Sequence, residues 1–279
     1  MSAKANVNSF WKGASGMANQ AEYIYDGTFE GFLCCIYESL LHQEIPQHIY
    51  VEEGIPLLGE TSTWITTDWE RAQKVYVSFS RKIGIQAQDM IRDAFLTHMI
   101  DKELILYRYI LMGYRLGRQV LSQEEWDEPG ILSPNPSQRK LILRVMKAAE
   151  SYRAEVKNTQ GQIRFRSYKD VMISCITPRN LILPGLTTFF EKRFGKENFL
   201  VYDKTHKMAA VHREEGSMVT SMQSVNLPVL YDEKNVYENL WCSWYDKMHI
   251  ETPSNPHYAL NEMRTPLWCE INGYSMGPS

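Results

Sequence analysis

Residues 163–176, IRFRSYKDVMISCI, decide the class of this fold. Residues 163–166 alternate apolar and basic side chains, which predicts a half-exposed strand. Residues 171–176 are mostly apolar and predict a second strand, and the polar residues 168–170 between them indicate a turn. An antiparallel hairpin is therefore expected in the second half of the chain.

The segments that follow this hairpin repeat the strand pattern. Residues 183–194 predict a helix, and residues 199–202 and 208–211 predict a second hairpin around the turn at Asp203. Residues 213–231 contain Gly216 and Pro228 and are expected to form a variable loop.

The segments that precede the hairpin are mostly helical. Asn135 and Pro136 are typical of a helix start, and this helix should extend to about Asn158. Apolar residues at spacings of three and four predict further helices, at residues 29–40, 68–83, 86–99 and 101–120. Residues 23–25 predict one early strand.

This order of elements predicts an α+β fold, in which a helix-rich N-terminal half packs with a mostly antiparallel sheet. The C-terminal hairpins and the first strand are expected to build that sheet. We interpret residues 1–20 as a flexible leader, 21–270 as a single domain and 271–279 as a tail. The acidic, proline-containing loop 121–137 leaves a subdivision of the domain open.

Composition excludes several classes of protein. The 279 residues are 44% hydrophobic and carry a net charge of -3, which is typical of a globular chain. No run approaches the roughly 20 apolar residues of a membrane span, and the N-terminus lacks the apolar core of a signal peptide. Five cysteines without a C-x-x-C pair argue against a disulfide framework. We therefore expect a cytoplasmic protein without a membrane partner.

The small net charge hides a strong asymmetry. Residues 139–213 hold 16 Lys and Arg against 6 Asp and Glu. Such an excess predicts an anionic partner, or neutralisation by the acidic remainder of the chain, and both interpretations stay open. Candidate phosphate-binding side chains lie on the polar face of the helix that begins at 136 and on the next strand: Arg139, Lys140, Arg144, Lys147, Arg164 and Arg166.

Motifs of known chemistry are absent from the sequence. It contains no phosphate-binding glycine loop, no dinucleotide-binding fingerprint, no zinc-protease motif and no nucleophile elbow, so we expect no cofactor and no metal. Asp26 follows a strand and precedes a glycine, a position where a carboxylate acts either as an acid/base or as a helix cap. It is the one candidate catalytic residue.

Several strings resemble a known family. They include YIYDGTFEGFLCC at 23–35, ITTD at 65–68, GQIRF at 161–165 and FEKRF at 190–194. The chain is similar over residues 21–270 to the bacterial family described as "probable DNA metabolism protein". Its matched motif positions are Tyr25, Asp26, Gly27, Arg164, Phe165, Arg193 and Phe194.

The resemblance implies a DNA-linked role. Members are typically encoded beside a radical-SAM DNA modification or repair protein, and some are fused to a uracil-DNA-glycosylase-like domain. The resemblance also adds Arg193 to the candidate DNA-binding residues. The chain departs from the family pattern at Phe189, His206, Pro253 and Arg264, where the family carries other residues, several of them basic or polar.

We therefore expect a DNA-associated accessory protein that assists a radical-SAM enzyme. One alternative is a protein-interaction module without DNA contact, whose basic section faces an acidic partner. The other is an enzyme that acts on DNA or modified bases, with Asp26 as its acid/base.

Overall fold

The computed structural model describes residues 21–52, 62–117, 134–168, 171–214 and 216–221. They form two compact units, which divide between Arg153 and Ala154. The first unit begins with a parallel sheet in which β1 (Glu22–Tyr25) lies between β2 (His48–Val51) and β3 (Ser62–Trp64). Residues 23–25 of β1 are fully buried, as expected of the central strand of a parallel sheet.

Helices make up most of the first unit, with bounds α1 (Phe29–His42), α2 (Trp69–Lys82), α3 (Ile85–Phe95), α4 (Lys102–Leu116) and the N-terminal part of α5 (Pro136–Gln162). The Thr28 side chain caps α1 by accepting from the Gly31 N–H, and Asp68 caps α2 by accepting from the Arg71 N–H. These caps explain where the predicted helices begin.

Aromatic rings build the core of the first unit. The Phe95 ring lies 5.1 Å from that of Phe29 and 5.4 Å from that of Phe32, and Tyr76 meets Phe29 edge-on at 5.9 Å. These three elements, α1, α2 and α3, are therefore packed through ring contacts in favourable geometry.

The second unit contains a five-stranded sheet whose strands follow chain order, β4 (Arg166–Tyr168), β5 (Val171–Ile176), β6 (Asn198–Asp203), β7 (Met208–Arg213) and β8 (Gly216–Ser221). Strands β5 and β6 are parallel and are joined by α6 (Leu183–Phe194), whereas the other pairs are antiparallel. A parallel pair requires such a crossover, and two antiparallel strands need only a short turn.

The structure confirms the α+β class, the helix-rich N-terminal half and both predicted hairpins. The first strand, however, pairs with β2 and β3 and takes no part in the sheet of the hairpins. Helix α1 returns the chain so that β2 lies parallel to β1. Strands of four and three residues show too little periodicity to be recognised in advance.

Two boundaries in the second unit also differ from the prediction. Strand β4 begins at Arg166 and not at Ile163, because the Ile163 N–H donates to the Thr159 carbonyl and extends the last turn of α5. Residues 216–221, expected to be loop, form the edge strand β8. All six residues of β8 are half-buried, and its sequence lacks the apolar and polar alternation that marks a strand.

Several predictions concern residues outside the described ranges: the leader 1–20, most of the acidic loop 121–137 and the tail 271–279. The assignment of 21–270 to a single domain stays a prediction. Among the described helices, none is both long and apolar enough to cross a membrane.

Candidate nucleic-acid interface

The start of α5 is fixed by reciprocal side-chain capping. Asn135 Oδ1 accepts from the Gln138 N–H at 2.9 Å, and Gln138 Oε1 accepts from the Asn135 N–H at 2.8 Å. Pro136 occupies the first helical position, where a missing N–H costs nothing. This capping box confirms the predicted helix start.

The exposed residues Lys140, Arg144 and Lys147 lie on one side of α5, and we call them the α5 basic face. Their spacing of four and three residues keeps them within about 60° of arc over about 10 Å of helix. Among the described residues, none of the three forms an ion pair, and Arg144 donates to the Ile100 carbonyl at 3.2 Å. The charges of this face are therefore directed to solvent.

Arg139 has a different environment from the α5 basic face. It is half-buried, and its Nε donates to the Pro134 carbonyl at 3.0 Å. The residues at this end of the helix line a shallow groove of about 560 Å³, namely Pro134, Pro136, Arg139, Lys140 and Leu143. Arg139 thus helps to hold the backbone before α5 and contributes to a surface that is apolar as well as basic.

Arg164 and Arg166 are both exposed, in the second unit. The Nη1 of Arg164 contacts the carbonyls of Gln162 and Ile163 at 3.2 and 3.1 Å, so this guanidinium covers the C-terminal end of α5. Arg166 begins the edge strand β4, opposite Ile173 of β5. Arg164 therefore has a structural contact that its predicted role in phosphate binding did not include.

Arg193 lies on α6, the helix that connects β5 to β6 of the same sheet. It is exposed in the last turn of α6, and the chain that follows leads into the amino end of β6. Arg164 and Arg166 lie beside the carboxyl half of β5. The ring of Phe194, the next residue after Arg193, contacts that of Phe165 at 5.1 Å, so the structure brings the segment of Arg193 next to that of Arg164 and Arg166.

Asp26 is engaged in local structure at the carboxyl end of β1. Its Oδ1 accepts from the N–H and the hydroxyl of Thr28 at 3.0 and 2.6 Å, and its Oδ2 accepts from the Thr67 hydroxyl at 2.8 Å. Gly27 beside it has φ +79°, which favours glycine. The carboxylate links the loop after β1 to the loop after β3, which agrees with a structural role for Asp26.

The remaining family-motif residues are core residues. The Tyr25 side chain is buried and donates to Glu103 Oε1 at 3.0 Å, and its burial, with this carboxylate nearby, raises the pKa of the phenol. The ring of Phe165 meets those of Phe190 and Phe194 edge-on at 4.9 and 5.1 Å. The match at these positions is therefore explained by packing.

Two of the four residues at which the sequence departs from the resemblance, Phe189 and His206, lie in the described part of the chain. Phe189 packs edge-on against Phe190 at 5.0 Å. Pro253 and Arg264 lie outside the described residues. His206 forms a contact that sequence reasoning missed.

Asp203 and His206 form a carboxylate–imidazole pair in the turn between β6 and β7. The Nδ1 of His206 lies 2.6 Å from Oδ2 of Asp203, whose side chain is completely buried. The sequence signalled only a turn at Asp203, because an Asp–x–x–His spacing is common and has no meaning until the turn geometry is known.

His212 shows the contrasting case of a histidine with both ring nitrogens occupied. Its Nδ1 lies 2.7 Å from the Ser217 hydroxyl, its Nε2 lies 2.7 Å from the Gly195 carbonyl, and its ring stacks on Phe199. His212 therefore joins β7 to β8 and to the end of α6.

Comparison with known proteins gives one family. A family model described as "Domain of unknown function (DUF4130)" matches residues 100–272, more than half of the chain. The matched range contains the α5 basic face and the Asp203–His206 pair, whereas Asp26 lies before it. No curated protein matches the chain.

Proposed function

The chain belongs to the DUF4130 family of domains of unknown function, and we propose that this member is a DNA-associated accessory protein. The α5 basic face is the observation that carries the proposal. Three cations project from one side of a capped helix, and no carboxylate among the described residues neutralises them. An anionic polymer is the partner that such a face attracts most strongly.

The spacing of the α5 basic face suits phosphates. Duplex DNA carries one negative charge for about 1.7 Å of its axis, so a row of cations about 10 Å long meets several phosphates. Contacts of this kind release condensed counterions and carry no base specificity. We therefore propose binding that is independent of sequence and strongly dependent on salt.

The accessory role rests on the family resemblance. The resemblance associates the chain with radical-SAM DNA repair or modification proteins, and we propose that this protein assists such an enzyme on DNA. The strings at 161–165 and 190–194 that support the resemblance lie inside the range matched by the family model.

The test is a salt titration of binding to single-stranded and double-stranded DNA. The wild type is compared with a triple variant in which Lys140, Arg144 and Lys147 are changed to Ala. Arg139 is kept because it supports the start of α5. The slope of log Kd against log salt should fall by about 2–3 in the variant, since each lost phosphate contact removes about 0.9 from the duplex slope and about 0.7 from the single-strand slope.

A charge-matched control separates the α5 basic face from net charge. Lys74, Arg81 and Arg108 are exposed on α2 and α4, and changing these three to Ala removes the same charge. The control should keep the wild-type slope. An equal reduction of this slope in both triple variants would contradict the proposal. So would the absence of DNA binding by the wild type at low salt.

A protein-interaction module is the second candidate, and the groove at the start of α5 favours it. Leu143 is 46% exposed between Lys140 and Arg144, and Ile100 is 76% exposed beside the Arg144 contact. Phosphate binding does not use exposed apolar side chains, whereas a protein–protein interface buries them. Formation of a stable complex with a radical-SAM partner, without DNA affinity in either component, would favour this function over DNA binding.

A further inference from the structure

The β6–β7 turn lies at the end of the five-stranded sheet where the parallel strands β5 and β6 have their carboxyl ends. The Lys204 N–H donates to the Ile176 carbonyl at 3.0 Å and so fastens the turn to the end of β5. In sheets with helical crossovers, ligands commonly bind outside the carboxyl ends of parallel strands. This end of the sheet is therefore a favourable location for a site.

The turn holds the imidazole of His206 in a defined orientation. Asp203 Oδ1 accepts from the N–H groups of Thr205 and His206 at 2.8 and 3.1 Å, and Oδ2 faces Nδ1 of His206 at 2.6 Å. An ionised carboxylate can only accept, so Nδ1 carries a hydrogen and Nε2 of the neutral ring is the proton acceptor.

The second nitrogen of this ring is available to a ligand. The His206 side chain is 25% exposed, and its Nε2 has no hydrogen-bond partner within the described part of the chain. This distinguishes His206 from His212, whose two nitrogens both have partners. A histidine oriented by a buried carboxylate, with its other nitrogen open, is the arrangement of a general base.

Two lysines flank His206 in the same turn. Lys204 and Lys207 are exposed, and neither forms an ion pair with another described residue. Their ammonium groups therefore add positive charge to the turn that carries His206. Charge of this sign stabilises the phosphoryl oxygens of a phosphate ester, which become more negative during attack at phosphorus.

We propose that His206, positioned by Asp203, is the general base for hydrolysis of a nucleic-acid phosphodiester held by Lys204 and Lys207. Its substrate class rests on the proposed function. Nε2 takes a proton from water as the water oxygen forms a bond to phosphorus. The bond from phosphorus to one ester oxygen breaks, its electron pair stays on that oxygen, and solvent supplies the proton to the departing alcohol.

The pair itself is unchanged at the end of the reaction. Asp203 acts only through the imidazole, so it is a positioning residue. His206 releases its proton to solvent and is ready for another cycle. The site needs no oxidant or reductant.

The experiment uses the full chain and bis(4-nitrophenyl) phosphate, a small phosphodiester whose hydrolysis releases coloured 4-nitrophenolate. His206→Gln should lower kcat by about 100-fold or more with little change in KM, since general-base catalysis contributes roughly 10²–10⁴. His42→Gln is the matched control. His42 is exposed in α1, contacts Glu38 and should leave kcat unchanged.

Two further variants separate positioning from binding. Asp203→Asn should lower kcat at unchanged KM, because an amide no longer fixes the tautomer of the imidazole. Changing Lys204 and Lys207 to Ala should raise KM. Thermal unfolding checks that each variant is folded, and His206→Gln decides the question if Asp203→Asn does not fold.

Hydrolysis by the wild type that is lost in His206→Gln supports the proposal. No hydrolysis by the wild type, or an equal rate in His206→Gln, overturns it. Because the small ester needs no DNA-binding surface, hydrolysis without DNA binding would contradict only the proposed function. DNA binding without hydrolysis of the ester or of DNA would contradict only this inference.

Discussion

Gly31 in the first turn of α1 shows how a single residue maintains the connection made by Asp26. A Cβ at this position would lie 2.3 Å from Asp26 Oδ1 and 2.8 Å from Thr67 Oγ1. The absence of a side chain therefore allows the Asp26 carboxylate to reach Thr67. The same close approach makes Asp26 poorly suited to acid/base chemistry, because both of its oxygens accept hydrogen bonds within the fold.

We predict that Gly31→Ala destabilises the protein by about 1–3 kcal/mol, because the new methyl group must displace Asp26 or Thr67. The measurement is the free energy of unfolding in urea. Gly161→Ala in α5 is the control, since a Cβ there has no atom within 4 Å. That change should stabilise the protein by about 0.5–1 kcal/mol. Equal effects of the two substitutions would contradict the steric argument.

At the scale of the element, α5 depends on its first turn. Four N–H groups at a helix start have no partner inside the helix, and Asn135 and Gln138 satisfy two of the backbone donors there. The α5 basic face lies directly after this turn, so the cap also fixes the positions of its cations.

We predict that Asn135→Ala lowers the free energy of unfolding by about 1 kcal/mol, which is the usual cost of losing an N-terminal cap. Asn158→Ala, at an exposed position within the same helix, should be neutral or slightly stabilising. Urea denaturation followed by circular dichroism measures both. A loss of stability in Asn158→Ala as large as that in Asn135→Ala would contradict a capping role.

At the scale of the whole molecule, the first unit buries many phenols. Burial raises the pKa of Tyr76 to about 12, and it also raises the pKa of five other tyrosines of this unit, Tyr23, Tyr25, Tyr107, Tyr109 and Tyr114. In the unfolded chain each phenol ionises near pH 10. Between pH 10 and 12 the folded state therefore binds more protons than the unfolded state.

We predict that the free energy of unfolding falls steeply as the pH rises from 10 to 12. The sign follows from linkage, since stability decreases with pH wherever the native state holds the additional protons. Tyr76 alone accounts for roughly 2–3 kcal/mol at 1.36 kcal/mol for each pKa unit. Denaturation at several pH values measures the effect, and Tyr76→Phe should reduce the slope. Constant stability up to pH 12 would contradict this assignment.

Local signals in the sequence predicted most helices and the later hairpins. Thr28, Asp68 and Asn135 mark helix starts because each cap requires only residues within one turn. The positions of Lys140, Arg144 and Lys147 on one face likewise follow from helical periodicity. These features depend on neighbours in the chain, so a single sequence contains the information.

Contacts between distant segments could not be predicted from such local signals. The sequence by itself determined the α+β class, the start of α5 and the line of basic residues along it. Only the tertiary structure decided that β1 joins β2 and β3, that Asp26 binds Thr67, and that Phe165 contacts Phe194 and so brings the segments of Arg164 and Arg193 together. The turn that brings Asp203 to His206 also became visible only in the folded chain. The physical reason is that periodicity and capping act within a few residues, whereas strand pairing and buried hydrogen bonds depend on which segments the fold brings together.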